Sequence, residues 1–207
     1  MEVKVRKVPH RTQAARSAAT QEALVGAARA LFAARGFGGV GTEAIVRAAG
    51  VTRGAMYHQF ADKTELFAAV FEAVEIDVAA RIGRAVAEAG QTDPIAVMEL
   101  GANAWLDACA DPEVQRIVLL EAPSVLGWER WREIGTRYGM GLVEAVIAHA
   151  IEVGRIRPQP VKPLAHVFMG ALDEGAMYVA RAEDPVSARA QLRAVISQLI
   201  SALAVPK

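Results

Sequence analysis

The sequence predicts an all-α protein of about nine helices, and three observations carry that expectation. Alanine and aliphatic residues dominate a chain that is 53% apolar, while β-branched clusters are sparse. Apolar residues recur at helical spacing, with no strand alternation and no internal repeat. Helix start and stop signals punctuate the chain: three Asp-Pro pairs, and glycines directly after periodic apolar runs. At 207 residues the chain has ample material for a hydrophobic core in one or two domains.

The elements follow in order. Residues 1–19 are basic and poor in apolar side chains, with Pro9 early, and are expected to form a flexible arm. A first helix is expected from about Thr20 to Arg35, with Leu24, Ala28, Leu31 and Phe32 on one face and Gly36 as its stop. Gly36 to Gly41 reads as a loop. A short helix from Thr42 to Ala49 ends at Gly50, and Val51-Thr52 form a turn. Thr52 can cap a second short helix, Arg53 to Gln59. Asp62, with Glu65 three residues later, makes a capping-box pattern for a long helix reaching about Ala89. Asp93-Pro94, Asp111-Pro112 and Asp184-Pro185 each place a capping carboxylate before a proline, so helices start near 94, 112 and 185. Two more span about Ser124 to Glu152, with Gly135 to Gly141 as a candidate break, and Pro163 to Arg181. The expected units are an arm (1–19), a small N-terminal bundle (20–67) and a larger C-terminal one (68–207), with the helix from Asp62 joining the bundles.

Charge is distributed unevenly. The totals balance at 23 basic and 23 acidic side chains. Residues 1–65, however, carry ten basic and five acidic side chains, and the remainder carries the matching acidic excess. A basic first third attracts polyanions; a solvated arginine-rich tail is the plainer alternative. Several function classes fall away. No run reaches the roughly 18 apolar residues of a membrane span, and no apolar segment follows the basic start as in a secretory signal. A lone cysteine, Cys109, excludes an intrachain disulfide framework and a cysteine zinc site, and a reducing cytoplasm is the simplest placement. His10, His58, His149 and His166 lack metal spacing, so no metal or cofactor is expected. Gly36 to Gly41 lacks the lysine of a phosphate-binding loop. The Glu129, Arg130, Arg132, Glu133 cluster reads as a solvated helical face.

The two short helices around Gly50-Val51-Thr52 form a helix-turn-helix pattern. Ala48 and Ala49 let the helices approach closely. Ile45, Val51, Met56 and Phe60 supply a buried stripe, with Met56 and Phe60 four residues apart. The opposite face (Thr52, Arg53, Ala55, Tyr57, His58, Gln59) is slim at its start and rich in hydrogen-bonding groups, which is what a helix entering the major groove of DNA requires.

The run from Thr42 to Phe67 resembles the DNA-binding segment of TetR-family (TetR/AcrR) transcriptional regulators. The matching pieces are Gly36-Phe37, Ala49-Gly50-Val51-Thr52, Gly54, Tyr57 with Phe60, and Lys63 followed by Leu66. Gly41 stands where the family commonly has a capping hydroxyl, and Val46 where it has alanine. The resemblance covers residues 20–67 and implies a dimeric, sequence-specific regulator, most simply a repressor that a small molecule releases from a palindromic operator. It implies that Thr52, Arg53, Gly54 and Ala55 open the groove-facing helix. Tyr57 and His58 would touch phosphates or thymine methyls, and Lys63 and Thr42 would meet phosphates.

The resemblance also implies a C-terminal dimer platform with an effector pocket. The expected dimer face is Phe168, Ala171 and Leu172 on one helix with Leu192, Ile196 and Leu199 on the last; ordinary intrachain core is the alternative. Candidate pocket residues are the tryptophans Trp105, Trp128 and Trp131 with Leu106, Cys109 and Leu119. Tyr138, Met169, Asp173 and Met177 complete the set, and core filling is again the alternative. Asp173 and Glu174 interrupt an apolar helix and could pair with a ligand cation or with Arg116 or Arg137. An all-α enzyme is disfavoured because no nucleophile is paired with a base. An activator would share the DNA-binding claim and reverse only its sign.

Overall fold

The computed structural model describes residues 13–206. Ten α-helices follow one another: α1 (Gln13–Arg35), α2 (Thr42–Ala49), α3 (Arg53–Gln59), α4 (Lys63–Ala89), α5 (Pro94–Ala108), α6 (Pro112–Val114), α7 (Ala122–Leu126), α8 (Trp128–Glu152), α9 (Val161–Ala180) and α10 (Pro185–Leu203). A π-helical segment, Gln115–Glu121, runs unbroken from α6 into α7, so 112–126 is one rod and the described residues form nine. Their extended backbone amounts to an isolated antiparallel bridge, Ile156 to Ala204. No described helix is long and apolar enough to cross a membrane.

The start signals operate through their side chains. Thr52 Oγ1 accepts from the Ala55 N–H at 3.1 Å, and Asp62 Oδ1 from Glu65 N–H at 2.9 Å. Asp93, Asp111 and Asp184 likewise cap α5, α6 and α10, each with proline in the first turn. The capping box at α4 is half formed. Glu65 does not reach back; its carboxylate takes a bidentate pair of bonds from Arg130 of α8 at 2.6 and 2.7 Å.

Two expectations about helix ends are corrected. First, α1 begins at Gln13, so residues 13–19 are helix rather than arm. The alanine-rich start favours helix intrinsically, and Ser17 Oγ accepts from Gln59 Nε2 of α3 at 2.8 Å, which ties that turn down. The remainder of the expected arm, residues 1–12, lies outside the described residues. Second, α8 runs through Gly135, Gly139 and Gly141 without a break, and the interruption falls at Gly127, whose φ is +79°. Packing of α8 against α4, α5 and α9 outweighs the weak propensity of its glycines.

One core runs from the helix-turn-helix into the larger bundle. Leu24, Phe32, Ile45, Met56, Phe67 and Phe71 are fully buried in the same cluster as Leu106, Ile117 and Leu119. Phe67 stacks edge-on against Phe32 and Phe37, both with ring centroids at 5.3 Å. The first half of α4 therefore belongs to both units. A second cluster, with Met98, Ile147, Phe168, Ile196 and Ile200, fills the space among α5, α8, α9 and α10.

The end of α1 is clamped from the π-helical segment. Phe37 N–H donates to Glu121 Oε2 at 2.8 Å, and Arg116 Nη1 donates to the Ala33 carbonyl at 2.8 Å. Gly36 has φ +74°, and a Cβ there would overlap the Glu121 carboxylate. Lys63 holds the other side of the loop through the Phe37 and Val40 carbonyls at 2.9 and 3.0 Å, with its ammonium 3.9 Å from the Phe37 ring centre. Glu121→Ala removes a charge-assisted acceptor from a half-buried N–H. It is expected to cost about 1–3 kcal/mol, read as a lower urea midpoint at unchanged slope.

Candidate nucleic-acid interface and ligand cavity

α3 is a two-turn helix standing on the buried side chains of Met56 and Phe60. That orientation leaves Thr52, Arg53, Gly54, Tyr57 and His58 exposed, and Ala55 partly so. Arg53 leans over the Tyr57 ring, 5.6 Å from its centre, and donates to Glu43 Oε1 of α2 at 3.1 Å. The pair is open to water and contributes little to stability. It holds a guanidinium at the outer edge of the helix. Arg53→Ala should cost about 1–3 kcal/mol of specific binding and relax selectivity at one base position. An equal loss on every sequence would mark a phosphate contact instead.

Gly54 is helical and has open space where a Cβ would stand, its nearest neighbour being Thr52 Oγ1 at 4.0 Å. The fold therefore does not require glycine there. Gly54→Ala should raise stability by about 0.5–1 kcal/mol; if α3 enters the major groove, the added methyl meets the duplex and DNA binding weakens. Unfolding and DNA titration of the same variant check the opposite signs. Thr42 is half-exposed in the first turn of α2, whose cap, Gly41, offers no side-chain bond. Lys63 is not a free cation, because two of its three N–H groups are committed to the loop 36–41.

The second site is a cavity of about 480 Å³ enclosed by α4, α5, α8, α9 and the π-helical segment. Trp105, Leu119, Trp131, Met169 and Asp173 line it as the sequence suggested. Wall residues at one end (Gly83, Ala87, Leu142, Ala145, His149) are exposed. Those at the other end include Val118, Leu119 and Trp131, which are buried. The inner end holds the polar groups. Arg132 donates to Asp173 in a short ion pair. Burial raises the Asp173 carboxyl to about 6 against the pull of Arg132. Glu75 is 8% exposed, and among the described residues it makes neither a hydrogen bond nor an ion pair. Burial, with Asp173 nearby, raises it to about 8. Trp131 Nε1 donates to the Val118 carbonyl at 3.1 Å, whereas the buried Trp105 Nε1 has no partner among the described residues.

The remaining candidates lie elsewhere. Cys109, Met177 and Leu106 are buried in the first core and do not line the cavity, although the Cys109 thiol lies near Asp173 and Glu75 behind its wall. Trp128 is 64% exposed at the start of α8. The Tyr138 hydroxyl donates to Glu72 on the outer side of α4. Phe168 and Leu172, expected at a dimer face, point inward and line the cavity. Ile196 is buried in the second core, and Leu192 packs into the notch left by Gly175. Ala171 is half-exposed and Leu199 exposed. The outward stripe keeps Ala171 and Leu199 of the expected face and adds Val167 and Tyr178 on α9 and Val195 on α10.

Comparison with known proteins establishes the family. Residues 24–70 match bacterial regulatory proteins of the tetR family, and residues 95–203, more than half of the chain, match the tetracyclin repressor-like C-terminal domain. The chain belongs to the TetR family. A TetR-family transcriptional regulator from Pectobacterium atrosepticum is 30% identical in a superposition covering 95% of this chain and 99% of that one, with a TM-score of 0.82. The Transposon Tn10 TetC protein of Escherichia coli is 27% identical over 151 residues, 73% of this chain and 75% of that protein. RolR in complex with resorcinol shares the fold, at 21% identity and a TM-score of 0.71 over 94% of this chain and 99% of RolR. The TetR-family chain is thus a transcriptional regulator with a helix-turn-helix DNA-binding domain, not an enzyme.

Two charged cavity residues of this regulator, Glu75 and Arg132, were not among the sequence candidates, and one was findable. Glu75 falls on the apolar stripe Phe71, Val74, Val78, Ile82 of α4, where a charge has no solvent. Arg132 was hidden inside the cluster read as a solvated face. Arg130 of that cluster crosses to Glu65 and Arg132 turns inward to Asp173. Arg116 and Arg137, the expected partners of Asp173, instead serve the Ala33 carbonyl and Glu72. Glu174 is exposed.

Proposed function

We propose that this regulator is a cytoplasmic homodimeric repressor that holds a palindromic operator through two copies of α3 and lets go when a small, largely apolar molecule fills the cavity. One observation carries the coupling. Val118 and Leu119 line the cavity, while Arg116 and Glu121 of the same π-helical segment clamp the end of α1 and the loop leading into α2. π-helical turns are rare and frequently mark functional sites, so this segment suits a switch. A molecule that favours one arrangement of its wall shifts the spacing of the recognition helices by its differential affinity. α4 provides a parallel lever, since it carries Glu75, Val78 and Ile82 in the cavity and Lys63 against the loop.

Dimerisation is supported by the exposed apolar stripe on α9 and α10, and by the need for more base pairs than one short helix can read. A small aromatic effector is supported by the tryptophan-lined wall and by the resorcinol bound in the similarly folded RolR. The test is selection of genomic fragments by the purified protein, followed by promoter reporters in a deletion strain. Bound fragments that share a palindrome and lie in promoters derepressed by the deletion support the reading. Promoters that lose activity on deletion contradict repression, and indiscriminate retention of fragments contradicts operator recognition.

A further inference from the structure

The inner end of the cavity has more acid than base. Glu75 and Asp173 approach one another there, and the guanidinium that lines the cavity, Arg132, is already paired with Asp173. Around Glu75 stand Asp173 from α9, Arg132 from α8 and the Cys109 thiol from the end of α5; Arg189 of α10 acts on that thiol, and among the described residues no cation pairs with Glu75 itself. α8 leaves room beside it, since a Cβ on Gly135 would stand 3.8 Å from Glu75 Oε1. The rest of the wall is apolar, with aromatic surface from Trp105, Trp131 and Phe168.

A carboxyl nine-tenths buried, unpartnered and set in the wall of a cavity is costly unless something else completes it. An anionic ligand would meet two carboxyls and an occupied arginine. A cation gains the free carboxylate, and its apolar body gains the aromatic faces. We propose that the cavity takes an amphipathic organic cation, an aromatic or alicyclic amine or quaternary ammonium compound, with its charge against Glu75 and its apolar part against Trp105 and Trp131. This rests on the reading of the cavity as the effector site. Because Glu75 is held protonated near neutral pH, the cation displaces its proton, and binding strengthens as pH rises towards about 8.

The test compares two probes of the same shape, phenyltrimethylammonium and the neutral tert-butylbenzene, on the DNA-free full chain by tryptophan fluorescence and calorimetry. The quaternary probe cannot titrate, so any pH dependence belongs to the protein. Expected is at least about tenfold tighter binding of the cation at pH 8, weakening by close to tenfold for each pH unit below. Glu75→Gln should abolish the preference while leaving the neutral probe bound, which shows that the variant's cavity is intact. Equal or tighter binding of tert-butylbenzene, or a preference that survives Glu75→Gln, overturns the proposal and leaves the cavity as a site for neutral molecules. Binding of neither probe overturns both. A cation that binds as expected but leaves operator affinity unchanged upholds this inference and contradicts effector release.

Discussion

Glu75→Gln should raise the thermal midpoint of the protein, and by more at pH 8 than at pH 5. The ordinary carboxyl value is 4.5, and in the folded chain burial raises Glu75 to about 8. Between those values the unfolded chain gives up a proton that the folded chain retains. Stability therefore falls as pH climbs from about 4.5 to about 8, and the loss is complete above the folded value. Glutamine fills the same space and does not titrate. The gap between variant and wild type should widen by roughly 3 kcal/mol from pH 5 to pH 8. For a chain of this length that is on the order of 5–10 °C in midpoint. Calorimetry across that pH range checks it, and parallel midpoints at all pH values would show a solvated Glu75. A residue that weakens the fold in this way is explained by function, and the same substitution is expected to remove the cation preference.

Val167→Glu should leave the protomer folded and abolish tight operator binding. Val167 is 70% exposed and stands on the outward stripe with Ala171 and Tyr178, beside Val195 and Leu199 of α10. In a monomer a glutamate there meets water and changes stability little. In a two-fold interface it places two like charges in apolar surroundings without partners, a cost of about 3–5 kcal/mol. That corresponds to a loss of dimer affinity of roughly two to four orders of magnitude. Sedimentation should show a monomer, and operator affinity should fall with it. A variant that remains dimeric would move the interface away from α9 and α10. Phe168→Glu would be a poor test, because Phe168 faces the cavity and its loss damages the fold.

Much of this architecture is legible in the sequence because local chemistry fixes it. Thr52, Asp62, Asp93, Asp111 and Asp184 cap their helices through bonds two or three residues away, and Gly36, Gly50 and Gly90 stop helices by taking φ near +60 to +75°. The buried edge of α3 follows from Met56 and Phe60 alone. Features that depend on distant partners are not legible. Residues 13–19 are held as helix partly by a contact with Gln59, and the glycines of α8 are carried by the helices around them. Glu65 follows its capping pattern by half because Arg130, 65 residues away, competes for its carboxylate. On α9, periodicity identifies a helix that is apolar nearly all round. It does not say which arc faces the cavity and which faces out: of the three residues expected at the outer face, Ala171 stays there while Phe168 and Leu172 turn inward.

The Arg53 to His58 edge of α3 is expected to lie in the major groove of the operator. Guanine N7 methylation protection on a selected operator reads that directly, because N7 is exposed in that groove. Two protected blocks related by a dyad are expected, one helical turn or a multiple of it apart, with Arg53→Ala uncovering one guanine in each. Binding that leaves every guanine N7 reactive, or a single block without symmetry, would contradict it.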